Sequence, residues 1–454
     1  MEHMKRILSP RILAAALFVS LFTSPLVPAS ASAQTIEDLQ RQIDALQAQL
    51  DAMSERHDAD EAARTEQVKA EAAPMESAEQ QQVQIKWGPA PTFTSPDGLF
   101  QMKLRGRLLV DAGRVRVDDG RERIGATEFR AARLGIEGKA WRTIGYKFEV
   151  DFAGNDVSVK DAYISWKGPV GIKVGQFKLG TSLEEATSSR FTTFTERASF
   201  TDAFGFGRQI GIGVDKSGDN WSAQAAIFRG TISSSDQDEG VTLAGRVTYG
   251  PKIGNIQAHV GGSVRYRNAG RDQSSFRYSQ RPHNHLAAKY LDTGALARKD
   301  LFWGIEAAAV RGPVSFQAEY GWLDVNLTSS GVDGPVFTGG YASLSWFITG
   351  ESRSYKAGKG AFDRVKVARP VFEGGPGAWQ VAVRYDRIDL SEGVIRGGEQ
   401  DSYILGVNWY LNNNTRLMAN YSHSEIVDSF QGILSARNGD AQVDAFGVRA
   451  QIDW

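Results

Sequence analysis

Residues 441–454 read Ala441-Gln-Val-Asp-Ala-Phe-Gly-Val-Arg-Ala-Gln-Ile-Asp-Trp454, and they alternate almost without error. Phe446, Val448, Ala450, Ile452 and Trp454 fall on one face, and Gly447, Arg449, Gln451 and Asp453 on the other. Side chains on a strand alternate faces with period two, so the segment has one apolar and one polar side along its length. The same pattern recurs back to about Leu99, with short polar turns and longer polar loops in rough alternation. Lipid outside and water inside a closed sheet require that pattern, so the expected fold is all-β, a transmembrane antiparallel β-barrel.

Sixteen candidate strands can be counted. They lie near 99–113, 127–138, 143–153, 156–167, 170–178, 208–216, 220–229 and 241–250. The remainder lie near 256–267, 301–311, 313–323, 336–349, 378–389, 400–411, 414–425 and 441–454. Outward aromatics near strand ends, among them Tyr146, Trp166, Trp221, Trp303, Tyr320, Trp322, Trp346, Trp379 and Trp409, suit the interfacial girdles of a membrane barrel. The even count puts both termini on the periplasmic side. Short turns then fall on that side and long loops (114–126, 179–207, 229–240 and 265–300) on the other. Residues 350–377 break the rule: either a strand pair is hidden there, or the segment folds back into the pore.

Ahead of the barrel the chain changes character. Lys5, Arg6 and Arg11 precede an apolar run, Ile12 to Leu26, and Ala31-Ser32-Ala33 offers a cleavage site, so 1–33 reads as a secretory signal peptide. Ile36, Leu39, Ile43, Leu46, Leu50 and Met53 are spaced as an a/d seam, opened by a capping box at Thr35 and Asp38. A short coiled-coil oligomerisation helix is therefore expected over 34–57, followed by a linker over 58–97 and the barrel over 98–454. No other apolar run approaches the roughly 20 residues of a transmembrane helix. The net charge of −1 provides no global basic field for nucleic acid, and the absence of Cys excludes cysteine chemistry.

A sixteen-stranded barrel leaves an aqueous channel, so function lies in its lumen. Parity turns Lys103, Arg105, Arg107, Arg133, Lys147, Arg265, Arg267 and Arg384 inward, with Asp111, Glu137, Glu149, Asp151, Glu306, Glu319 and Asp386. Two clusters are strongly basic. In 265–281, five Arg (Arg265, Arg267, Arg271, Arg277, Arg281) face Asp272, and 350–377 carries Arg353, Lys356, Lys359, Arg364, Lys366 and Arg369. Spaced cationic sites pass an anion without trapping it. The loop 179–207 carries Glu184, Glu185, Glu196 and Asp202, and folded inward against a basic wall it would set up a transverse field.

From about Pro91 onward the chain resembles the phosphate-selective porins O and P. The motifs are Ser95-Pro-Asp-Gly-Leu-Phe-Gln-Met-Lys-Leu-Arg-Gly-Arg-Leu, Phe129-Arg-Ala-Ala-Arg-Leu-Gly-Ile-Glu-Gly, Lys160-Asp-Ala-Tyr, Val174-Gly-Gln-Phe-Lys, Ser182-Leu-Glu-Glu, Thr195-Glu-Arg, Thr349-Gly-Glu-Ser-Arg-Ser-Tyr and Val383-Arg-Tyr. The resemblance implies an outer-membrane homotrimer whose third loop and a long periplasmic turn fold inward. It also implies an arginine ladder, matched by Arg265, Arg267 and Arg271, leading to a central phosphate site. Arg130 matches the first Arg of the second-strand motif, but Ala131 stands where the family has another Arg. Arg130 shares a face with Leu134 and Ile136, so it reaches the lumen only through a bulge or at the rim. Lys147, Lys178 and Arg197 are carried over to the central basic site.

The expected function is passive diffusion of small anions such as phosphate or polyphosphate. The alternatives are a general diffusion porin without phosphate specificity and a structural barrel tether. No cofactor or metal is expected. Of the His residues, Ser422-His423 lie on opposite strand faces, against a catalytic dyad, and His283-Asn284-His285 reads as a solvated loop pair. The expected partners are outer-membrane lipid, two further copies of the chain, and the insertion machinery, which would read Trp454.

Overall fold

The computed structural model describes residues 36–76, 83–118, 123–232, 238–271, 275–328, 334–430 and 439–454. The signal peptide, the capping box at Thr35 and the acid Asp272 lie outside the described residues. The chain forms two units, 1–81 and 82–454.

The first unit is one helix, Ile36–Glu76. It runs beyond the expected coiled coil, and the Ala/Glu/Gln-rich stretch read as linker from 58 is helical to Glu76. Ala, Glu, Gln, Lys and Arg are strong helix formers, so propensity carries the helix on after the apolar seam has stopped. The seam residues Ile43, Leu46, Leu50 and Met53 are exposed on the single chain.

The second unit is a barrel of sixteen antiparallel strands. In chain order the first eight are β1 (Gln101–Val117), β2 (Arg123–Ala140), β3 (Ile144–Asp151), β4 (Ser158–Lys167), β5 (Gly171–Phe177), β6 (Gln209–Ser217), β7 (Trp221–Phe228) and β8 (Val241–Tyr249). The second eight are β9 (Ile256–Asn268), β10 (Leu291–Arg311), β11 (Val314–Leu327), β12 (Val336–Phe347), β13 (Ala378–Glu392), β14 (Ile395–Tyr410), β15 (Thr415–Ser429) and β16 (Ala441–Asp453). Each pairs with its sequence neighbour, and β16 closes on β1 from Val443↔Val117 to Asp453↔Arg107. Closure leaves no strand edge, so backbone polar groups inside the bilayer find partners within the sheet. At the seam, Gly106 exchanges both backbone hydrogen bonds with Trp454, at 3.1 and 3.0 Å. The indole covers Gly106 so closely that no side chain fits there.

Two departures from the expected strands have local causes. The segment 84–86 pairs with 92–94, which pairs in turn with the start of β1 (Thr92↔Lys103), so the end of the expected linker belongs to the sheet. β10 begins at Leu291, ten residues before the expected 301, because Phe276–Gln280 folds onto its extension. Apolar side chains occupy the outer wall, including Val214, Val247, Ile305 and Leu405. Aromatic pairs stack there, Trp303 on Trp322 at 4.1 Å and Trp379 on Trp409 at 5.1 Å.

The interior is less uniformly wet than strand parity suggests. Phe302, Leu323, Val325, Phe337, Ile388, Leu390, Ile426 and Val443 are buried in one apolar cluster with Phe200 and Phe204 of the loop after β5 and Tyr278 and Tyr290 of the segment after β9. Inward side chains of β10–β16 near their extracellular ends thus pack on folded-in loops instead of facing water.

Candidate functional site

The loop between β5 and β6 carries two short helices, Leu183–Ala186 and Ser199–Ala203. Ser182 caps the first, its Oγ accepting from the Glu185 N–H at 3.1 Å. The Glu319 carboxylate of β11 accepts from the N–H groups of Leu183 and Glu184 at 2.7 and 2.8 Å, satisfying donors that a helix start leaves open. Arg384 of β13 holds Glu184 at 2.5 Å and lies against the rings of Phe194 and Tyr341. Asp386 accepts from Ser199 N–H at 3.2 Å, and Arg265 donates to the carbonyls of Phe204 (2.7 Å) and Gly205 (3.1 Å). The β9–β13 wall thereby fixes the loop inside the barrel.

The segment 348–377 folds inward as well, which answers the irregularity in the turn pattern. Ser354–Lys356 pairs with Ala361–Asp363, Arg246 donates to the Gly360 carbonyl at 2.7 Å, and the Phe362 N–H reaches Thr187 Oγ1 at 3.3 Å. Arg353 is half-buried over the Phe362 ring, and desolvation lowers its guanidinium to about 10.

Between the loop and the β1–β5 wall lies a cavity of about 440 Å³, lined by nine Lys or Arg and three Asp or Glu. Its charge follows a rule: one carboxylate serves two cations. Glu149 takes Arg107 (3.2 Å) and Arg133 (3.1 Å). Asp161 takes Arg208 (2.7 Å) and Lys147. Glu185 takes Lys178 (2.5 Å) and Arg197 (3.2 Å). A smaller adjoining cavity, about 130 Å³, holds a further set, in which Glu196 takes Arg130 (3.2 Å) and Arg449 (3.0 Å). At the periplasmic end Asp453 takes Arg190 (3.3 Å) and Arg364. Most of these sets keep a surplus positive charge, and each acid also holds its cations in place. Arg449 also binds Asp111 at 2.6 Å.

The electrostatics of the loop follow from this sharing. Burial works to raise Glu196, but Arg130 and Arg449 outweigh it and hold the carboxyl at about 2. Burial lowers the Lys178 ammonium to about 8 in spite of Glu185. The transverse field expected from loop acids opposing a basic wall is therefore largely cancelled: Glu184, Glu185 and Glu196 are all ion-paired.

The sequence-derived site residues separate into groups. Arg105, Arg107, Arg133, Lys147, Lys178 and Arg197 meet around the larger cavity, and Arg105 pairs with Glu137. Arg130 reaches the smaller cavity through the bulge that parity demanded: Leu109 pairs with Ala131 and Val110 with Phe129, leaving Arg130 as the extra residue. Lys103 is half-buried and, among the described residues, has no ion pair. Arg384 and Arg265 lie away from both cavities, as anchors of the loop, because Glu184 and the loop carbonyls take their donors. Arg267 is bound to Asp300 and stacks on Phe276. Arg271 stands exposed beside Asp238. Arg190, Lys173 and Arg208 were missed as site residues. Lys173 follows strand parity and could have been found, whereas Arg190 lies off the strands, where parity gives no signal. Arg208, first residue of the expected strand 208–216, has the parity of the lipid-facing Ile210 and Ile212 but pairs with Asp161 from just ahead of β6. His283 and His285 do not converge: the first contacts Ser199 and Asp386, the second Glu128.

A closed sixteen-stranded barrel with an apolar outer wall and a charged, loop-narrowed lumen defines an outer-membrane porin. The chain belongs to the family described as phosphate-selective porin O and P, whose model matches residues 102–454. A Caulobacter vibrioides protein of undescribed function is 35% identical over 390 residues, covering 82% of this chain and 77% of its own. Porin O of Pseudomonas aeruginosa is 28% identical over 406 residues, 78% of this chain and 89% of its own. Among solved structures, the outer-membrane channel DcaP of Acinetobacter baumannii aligns with TM-score 0.50 and 14% identity, over 80% of this chain and 99% of its own. A loop-deletion mutant of Vibrio cholerae OmpT aligns with TM-score 0.50 and 12% identity, over 78% and 100%. Both likenesses concern the fold.

Proposed function

We propose that this porin conducts small inorganic anions, with phosphate among them, through the passage between the inward-folded loop and the β1–β5 wall. The observation that carries this reading is the sharing of one carboxylate by two cations at successive positions along that passage. A 440 Å³ cavity has the volume of a sphere of about 5 Å radius, inside the Debye length of about 8 Å at physiological salt, so the surplus charge acts on every ion that enters. Arg forks match phosphate oxygens in pairs, and repeated sites weak enough to leave support conduction over capture. Ala131, in the place of the family's second Arg, removes one fork, which favours phosphate passage over tight retention. A channel suits the His placements better than catalysis does: Ser199 Oγ and Asp386 meet the same Nε2 of His283, so no proton relay can run through the ring.

The barrel acts as a homotrimer, a reading supported by family membership and by the unpartnered apolar seam of the N-terminal helix. In that arrangement 34–57 forms a periplasmic bundle, and Trp454 is presented to the insertion machinery. Planar-bilayer recording tests the solute. Added phosphate is expected to reduce chloride current reversibly, and a chloride current indifferent to phosphate would leave a general porin.

A further inference from the structure

One acid in the passage breaks the sharing rule. Asp202, on the second loop helix, lines both the larger and the smaller cavity. Among the described residues, no hydrogen bond or ion pair reaches its carboxylate. The groups around it come from several elements. Glu196, Arg197 and Glu185 belong to its own loop, Arg130 and Arg133 to β2, Arg449 to β16, and Arg208 leads into β6. Lys289 approaches from the segment after β9, while His283 and Asp386 engage Ser199 at the start of the same helix. The nearby Arg are committed elsewhere: Arg130 and Arg449 to Glu196, Arg133 to Glu149 and Asp151, Arg197 to Glu185 and to the carbonyls of Glu184 and Thr187.

Resting on the anion-conducting reading, we infer that Asp202 sets the selectivity of the passage: as a carboxylate between the two basic cavities it opposes each anion that crosses, and as a neutral acid it lets anions through. An anion moving from one cavity to the other passes Asp202, the lining acid that, among the described residues, no cation pairs with. The loop places this group where its ionisation responds to mild acidity. The carboxylate stands open to the cavity water, yet the enclosing lumen walls, with the like charge of Glu196, raise it to about 6 against the pull of Arg197. The charge is therefore present at neutral pH and lost as pH falls through about 6. Anion preference should rise in the same interval.

Reversal potentials in a KCl gradient, recorded at pH 7 and pH 5 on the full-length protein and on Asp202→Asn, test this directly. In the wild type the chloride-to-potassium permeability ratio is expected to rise several-fold on acidification. Asp202→Asn should show the high ratio at both pH values, and Asp202→Glu should restore the pH dependence. A wild-type ratio that does not change with pH overturns the inference, as does an Asp202→Asn profile identical to wild type. Cation preference in both proteins at both pH values would instead overturn the anion-conducting reading beneath it.

Discussion

Glu149, Asp161, Glu185 and Glu196 each face two cations across the β1–β5 side of the lumen, whereas on the opposite side, β8–β13, only Asp300 among the described residues takes two Arg (Arg267, and Arg265 at 3.9 Å), and Glu184, Glu306 and Glu319 meet one Arg or none. There Glu306 meets Arg246 at 2.7 Å with His259 beside it, and Glu184 meets Arg384 alone. Glu319 accepts from backbone N–H groups and Tyr341 and, among the described residues, pairs with no cation. Arg246 and Arg384 are almost completely enclosed, whereas Arg107, Arg133, Lys147, Lys178, Arg197 and Arg208 line the cavity. The same residue types thus do different jobs. One wall uses paired charge to hold the loop, and the other uses unequal sharing to leave positive charge in the passage.

Substitutions on the two walls should therefore fail differently. The largest effect is expected for Arg384→Gln, which leaves Glu184 buried and unpaired at a cost of about 3–5 kcal/mol. Denaturant unfolding should show that loss while the sign of ion selectivity survives, and unchanged stability with lost selectivity would invert the comparison. Next comes Arg107→Gln combined with Arg133→Gln, which strips Glu149 of both cations and should swing the passage towards cations. Arg133→Gln alone should shift the permeability ratio roughly fivefold, since a unit charge at about 4 Å in water is worth about 1 kcal/mol. Raising pH from 7 to 9.5 is a gentler probe. Lys178 is charged below about 8 and neutral above it, so anion preference should decline through that interval, and Lys178→Met should flatten the decline. The smallest effect is expected for Arg271→Ala. Its side chain is 93% exposed, and screening should hold the change in single-channel selectivity near zero at physiological salt.

Strand alternation makes the barrel legible in the sequence itself. Phe446 to Trp454 alternate because one face meets lipid and the other the lumen, and all sixteen strands follow. Parity also located Arg105, Arg107, Arg133 and Lys147, since a strand offers only two directions. It did not reveal that Phe302, Leu323 and Ile388 point inward into an apolar core, because the partner surface comes from loops distant in sequence. The roles of Arg265 and Arg384 were hidden for the same reason. An inward arginine reads alike whether it faces water or a loop carbonyl, and only the folded path of 178–208 separates the two. Arg130 needed its bulge, which parity could demand but not place.

The closing strand joins the first of these walls. Trp454 seals the sheet over Gly106, and Arg449 joins Glu196 in the shared-carboxylate series. The central claim is that this series leaves the passage net positive. Reversal potential of the wild-type protein in a KCl gradient at pH 7 tests it most directly. A potential displaced towards the chloride equilibrium value is predicted, and displacement towards that of potassium would contradict it.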